Sequence, residues 1–233
     1  MVIFISQYLI LPLNKAQLTA GYKNANYKTK FGFTHYGIDL SNGVLDNRTL
    51  WAMGNGTVKA CGYDNIFGNT VVIVYPDVYI PATGKTQDLT VRLYHMKSIA
   101  VKVGQTVTTA TKLGVMGNTG KYSTGAHVHV EIDTDAAMPT YAPGLKASSN
   151  IIKKGIDTTL SPSDVLYLKP TAPDKQTLAY KAGIYADQKE AQLPTYPEEE
   201  RFFLEVGPLT KKEVEVVQKE LAEYAVTVKK ETM

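Results

Sequence analysis

From residue 50 to residue 132 apolar and polar positions alternate in short runs, and glycines separate the runs. That period of two predicts strands at 57–61, 70–75, 89–95, 106–108, 112–116 and 126–132. Val71, Val72, Ile73 and Val74 form a continuous β-branched run, as in a buried strand, whereas Thr90-Val91-Arg92-Leu93-Tyr94 alternates. Glycines such as Gly62, Gly68, Gly117 and Gly120 fall where tight antiparallel connections need them. No helical period longer than two turns interrupts this stretch. The fold class is therefore mainly β, with an antiparallel β body. Residues 133–160, with Pro139, Pro143 and Gly144, read as loop, and residues 161–167 as a short closing turn.

The pattern changes after residue 169. Residues 170–200 carry Pro170, Pro173, Pro194 and Pro197 among scattered charges and read as a linker. Residues 201–233 then follow a β-α-β pattern. A strand at 202–206 is broken by Gly207-Pro208, and Thr210 with Glu213 has the form of a capping box. Val214, Val217, Leu221 and Tyr224 recur at helical spacing, and residues 225–228 make a second strand. So short a unit cannot bury a core by itself. It either packs on the main body through Phe202, Phe203 and Leu204 or pairs with a second copy. In the second case two units would complete a ferredoxin-like sheet, giving a homodimer through residues 201–233. A wall-binding role is a third reading. The expected domains are thus 1–169, a linker at 170–200 and the small element at 201–233.

Composition adds limits more than identity. The 44% hydrophobic and 20% charged residues lie in the ordinary globular range. The net charge of +3 is uneven, since residues 1–169 hold 16 basic against 10 acidic residues. Such a basic body suits an anionic surrounding, but no interleaving of aromatic and basic residues points to nucleic acid. The single cysteine, Cys61, excludes an internal disulfide framework and reads as a buried structural thiol. Residues 1–5 are apolar, yet no positive charge precedes them and Ser6, Gln7 and Pro12 interrupt the run. The segment makes a poor signal peptide and is too short to span a bilayer, so synthesis in the cytoplasm is the expectation.

Four histidines carry the candidate chemistry. His127 and His129 flank Val128 in an alternating strand, where residues i and i+2 share a face about 6.5–7 Å apart. One can bind a metal while the other addresses a water or a substrate atom. His35 and Asp39, fully extended, would lie about 13 Å apart and share no ion; they can do so if the chain bends, which Gly37 permits. His95 closes the strand at 89–95. Each feature alone has a bland reading: two exposed side chains for His-x-His, a packed strand end for His95, and nothing for His-x-x-x-Asp. Together they leave no histidine over, and two histidines with one carboxylate are the ligand set of a catalytic zinc hydrolase.

Thr34-His35-Tyr36-Gly37-Ile38-Asp39-Leu40 resembles the His-x-Gly-x-Asp motif of LytM/lysostaphin-type endopeptidases. Gly56-Thr57-Val58, Gly68-Asn69-Thr70-Val71, Leu93-Tyr94-His95-Met96 and Val101-Lys102-Val103-Gly104 are similar to the segments that follow in that family. Gly117-Asn118-Thr119-Gly120 and Gly125-Ala126-His127-Val128-His129 complete the order, so the likeness spans roughly residues 18–168. Ala126, Val128 and Val130 depart from the bulkier residues usual there, and no ligand is lost. The resemblance implies an antiparallel β catalytic domain with a narrow active-site groove. It implies a Zn2+ ion on His35, Asp39 and His129, with His95 and His127 as catalytic non-ligand histidines. Tyr22 or Tyr27 would stabilise the oxyanion. The implied substrate is a peptidoglycan peptide, in a stem or a cross-bridge. Without an export signal, a phage or prophage lysin released through a holin is the preferred setting, and a virion-associated protein the second. The alternative reading is an inactive member of the family acting as scaffold or activator, although such members usually lack a zinc ligand. Asp133-Thr134-Asp135 is read as a solvated loop.

Overall fold

The computed structural model describes residues 6–14, 16–42, 48–145 and 149–166. In chain order they form β1 (Gln17–Ala20), α1 (Ala25–Phe31), β2 (Ile38–Ser41), β3 (Thr49–Trp51), β4 (Gly56–Asp64), β5 (Gly68–Ile80) and β6 (Lys85–Met96). There follow β7 (Ser98–Ile99), β8 (Thr106–Val107), β9 (Lys112–Val115), β10 (Val128–Asp133), β11 (Tyr141–Ala142), β12 (Lys153–Lys154), β13 (Thr159–Leu160) and α2 (Pro162–Val165). The main sheet runs β1-β2-β10-β6-β5-β4-β8, with β13 also on β10, and its pairings are antiparallel. A three-stranded sheet, β3-β9-β7, and the small β11-β12 pair complete it among the described residues. The mainly antiparallel β class read from the sequence is the fold observed. No helix among the described residues is long and apolar enough to cross a membrane.

Period-two alternation sorts the central strands into two faces. Val128, Val130 and Ile132 of β10, with Val91 and Leu93 of β6 and Val71 and Ile73 of β5, enter the large apolar core. Val72 and Tyr94 turn to the opposite face, where they meet Ala142 and Ile152 in a second, smaller cluster. The run at 71–74 is continuously apolar because this part of the sheet is covered on both sides. On that second face lie His129, Glu131 and Asp133 of β10, directly across from Tyr94, Arg92 and Thr90 of β6. On the other edge of β10, Asp39 of β2 stands opposite His129. Three adjacent strands therefore bring Asp39, His129 and Tyr94 into one row.

Several expectations are corrected. The strand expected at 126–132 begins at Val128, while His127 makes an isolated bridge to Gly117. Residues up to 51 supply β1, α1, β2 and β3, which the alternation did not predict. Helix α1 buries no residue and so carries no apolar stripe; Asn24 caps its start by accepting from the Asn26 amide, and Gly32 ends it in the left-handed conformation. Asp133 is not solvated: it is fully buried against Arg92 at 2.9 Å and accepts from the Thr158 hydroxyl. Cys61 is half-buried beside the large core. Within the stretch read as loop, β11, β12 and β13 are two-residue strands. The linker at 170–200 and the β-α-β element at 201–233, with its dimer, packing and wall-binding readings, lie outside the described residues.

Candidate active site

His35 Nε2, Asp39 Oδ1 and His129 Nδ1 converge: the first two are 3.0 Å apart, the two nitrogens 2.9 Å, and His129 Nδ1 lies 3.0 Å from Asp39. All three residues are buried. The chain does bend between His35 and Asp39, but Gly37 is not needed for a left-handed torsion. It is needed for space, because a Cβ there would lie 2.3 Å from the Val130 carbonyl oxygen and 2.6 Å from His129 Nε2.

Hydrogen bonds fix which ring nitrogens carry protons. A carbonyl oxygen can only accept, so the Nδ1–H of His35 donates to Gly21 at 2.7 Å. The lone pair of His35 Nε2 is then left facing the other two acceptors. Three acceptors converging in a buried site require a positive charge between them. Burial and this arrangement act on the acid–base groups as one would expect. Burial pushes the Asp39 carboxyl up, but His35 and His129 outweigh it and hold the group well below the usual carboxylate range. Burial pushes His129 down, but Asp39 and Glu131 outweigh it and raise the ring to about 9. A divalent cation answers the same demand, and two histidine nitrogens with one carboxylate suit zinc chemistry. Among the described residues these three form a group able to hold a metal ion.

The other two histidines flank this cluster. The Nδ1–H of His95 donates to Thr119 at 2.8 Å, and that of His127 to Gly125 at 2.8 Å, so each keeps a free Nε2 lone pair. Their rings are 4.8 Å apart, and His127 Nε2 lies 3.7 Å from Asp39 Oδ1. Burial, then His127 and His129, push His95 down to about 3, which keeps it neutral. His95 sits at a break in the β5–β6 register with φ of 64°, a left-handed conformation rare for a side-chain-bearing residue. Its amide donates to the Phe67 carbonyl, and Thr119, which orients its ring, is tied by its own hydroxyl to Met96. Gly68 and Gly120 let those two loops touch, since a Cβ on either would collide with the other loop's backbone.

Of the two tyrosines, Tyr27 stacks on the His35 ring at 4.3 Å and lines the groove. Burial, with Asp39 nearby, raises its hydroxyl pKa above the usual value. Tyr22 instead turns its hydroxyl to Thr159 at 2.9 Å. Phe33 and Tyr122, ring to ring at 5.3 Å, continue the groove wall beyond Tyr27. Three residues that the sequence reading missed also belong here. Tyr94 stacks on His129, Glu131 faces His129 Nε2 at 3.8 Å, and Arg92 binds Glu131 at 2.5 Å. The alternation of β6 and β10 already put them on the polar face, and that was the available signal.

Residues 33–139 match the model of peptidase family M23, a span that contains His35, Asp39, His95, His127 and His129. Residues 33–139 are a peptidase family M23 domain. The chain is 28% identical over 138 residues to an uncharacterized metalloprotease of Buchnera aphidicola, covering 59% of this chain and 33% of that one. It is 32% identical over 82 residues to the peptidoglycan DD-endopeptidase ShyC of Vibrio cholerae, covering 35% and 16%. The chain thus spans a third or less of the length of these relatives. Among solved structures, the catalytic domain of the antimicrobial peptidase lysostaphin from Staphylococcus simulans aligns at 21% identity with a TM-score of 0.45, over 64% of this chain and 90% of that one.

Proposed function

We propose that this M23 chain is a zinc-dependent endopeptidase that hydrolyses peptide bonds in bacterial peptidoglycan, in stems or in cross-bridges. The observation that carries the reading is the convergence of His35 Nε2, Asp39 Oδ1 and His129 Nδ1 beside two histidines with free Nε2 lone pairs. The peptidase family and the peptidoglycan endopeptidases among the relatives support the substrate class.

Zinc on these three residues would supply a Lewis acid and a water of near-neutral acidity. The remaining work falls to the chain itself. His127, less buried than His95 and aimed at the metal cluster, accepts the proton of the attacking water at Nε2 and returns it to the leaving amine. His95, held neutral by burial, orients that water through its own Nε2 lone pair. Tyr27, kept protonated, donates its hydroxyl proton as a hydrogen bond to the oxyanion. The aromatic wall of Phe33 and Tyr122 gives the substrate an apolar surface and excludes water from one side of the groove.

The test compares wild type with His129→Ala and His127→Ala for zinc content and for clearing of a peptidoglycan suspension. Wild type should hold one equivalent of zinc and clear. His129→Ala should lose both, and His127→Ala should keep the metal and lose the clearing. A folded wild type that neither holds zinc nor clears would refute the proposal.

A further inference from the structure

Three of the four histidines have their tautomer set by a backbone carbonyl: Gly21 for His35, Thr119 for His95 and Gly125 for His127. His129 is different. Its Nδ1 faces Asp39 and His35, so once a metal takes the Nδ1 lone pair the nitrogen that carries its proton is Nε2, and what faces Nε2, at 3.8 Å, is the Glu131 carboxylate. A main-chain oxygen is fixed by the fold, whereas a glutamate needs something to hold it.

Arg92 does so. It stands directly across from Glu131 in the β6–β10 ladder and is fully buried. Its guanidinium donates to Glu131 Oε1 at 2.5 Å, to Asp133 Oδ2 at 2.9 Å, to the Pro139 carbonyl at 2.8 Å and to the Tyr141 carbonyl. With its fork engaged in this way, Arg92 pins one oxygen of Glu131 and leaves the other, Oε2, on the His129 side. Tyr94 covers the same ring from its face, at 5.4 Å and an interplanar angle of 17°.

Charge points the same way. Arg92 with Glu131 and Asp133 carries a net −1 in a buried site, and an isolated buried charge is costly. A dication bound with the Asp39 carboxylate leaves +1 one residue row away. The two halves are neutral together, and neither is alone.

We propose that Glu131, braced by Arg92, is the positioning residue that holds the His129 ring with Nε2 protonated and Nδ1 presented to the metal. This rests on the zinc reading above. Outer carboxylates of this kind typically change metal affinity by about 10- to 100-fold. The experiment is zinc competition against a chromophoric chelator, with thermal melting of each metal-free protein alongside. Wild type, Glu131→Gln, Glu131→Ala and Thr158→Val are compared. Thr158→Val removes a hydroxyl bond to Asp133 at 2.6 Å and so loosens the same buried network without facing His129.

Glu131→Ala should weaken zinc binding about 10- to 100-fold, and Glu131→Gln should recover part of the loss, because its amide oxygen can face Nε2–H as the carboxylate does. Thr158→Val should lower the melting temperature and leave zinc affinity unchanged. If Glu131→Ala does not fold, Glu131→Gln decides, and weakened binding relative to wild type is the supporting result. Folded Glu131 variants that bind zinc like wild type would overturn the inference alone. So would Thr158→Val weakening zinc as much as Glu131→Gln. A wild type with no zinc affinity would instead remove the zinc reading and this inference with it.

Discussion

Replacing Gly37 with alanine tests how the ligand cluster is held. The φ at Gly37 is not positive, so the effect of an added Cβ is steric. The new Cβ would stand 2.3 Å from the Val130 carbonyl oxygen, 2.6 Å from His129 Nε2 and 2.9 Å from His129 Cε1. A relaxed carbon–oxygen contact needs about 1 Å more, at the 3.3–3.6 Å typical of such pairs. Val130 cannot yield easily, because it is paired with Ile38 in the β2–β10 ladder. The His129 ring is confined by Tyr94 on one face and by Asp39 at its edge. Either β2 lifts from β10 or the ring tilts, and both separate Asp39 from His129. Overpacking of this kind costs about 1–3 kcal/mol, which for a body of this size lowers the melting temperature by roughly 2–4 °C per kcal/mol. Misplacing a reacting group by 1 Å costs on the order of 100-fold in rate. The assay is thermal melting, bound zinc and peptidoglycan clearing for wild type and Gly37→Ala. The expected result is a folded, less stable protein with weakened zinc binding and clearing reduced by about two orders of magnitude. A variant that melts with wild type and keeps its zinc and its rate would show that close packing at Gly37 does not position His129.

Two further outcomes follow from particular contacts. Tyr27→Phe should keep the metal and lower turnover by about 10²- to 10³-fold, the usual cost of one oxyanion donor; Tyr22→Phe should leave turnover unchanged and cost about 1 kcal/mol of stability through its bond to Thr159, and the reverse pattern would hand the role to Tyr22. Asp64 organises the loop that carries Phe67, accepting from the Ser149 hydroxyl and from the amides of Ile66, Phe67 and Ile151. Burial pushes its carboxyl up, but these donors outweigh it and hold the pKa below the usual value. A depressed carboxyl contributes stability that is present above its unfolded pKa of about 3.9 and is lost as pH falls through the folded value. Wild type should therefore lose melting temperature more steeply on acidification below about pH 4 than Asp64→Asn does; parallel curves would show that these bonds do not favour the charged form.

Much of this protein was legible in the chain alone because its signal is local. The pleat of a strand imposes period two, so β4, β5, β6, β9 and β10 were readable within a few residues, and the same period separated Val128, Val130 and Ile132 from His129, Glu131 and Asp133. The order of the motifs also carried the five candidate site residues, His35, Asp39, His95, His127 and His129. Helix α1 and strand β2 were not legible, since one has no fully buried residue and so no apolar stripe, and the other is too short to show a period. What the tertiary structure alone decided is register. Asp39 meets His129 across 90 residues of sequence because β2 pairs with β10, and Arg92 meets Glu131 because β6 pairs with its other edge. Hydrogen bonds between strands select those partners, and no local period encodes which strand lies beside which. The same holds for the choice between Tyr22 and Tyr27, five residues apart in sequence and set by the chain's path toward Thr159 or toward the His35 ring. It holds too for Gly37, whose bend was readable from the sequence but whose necessity lies in the approach of a strand 93 residues away.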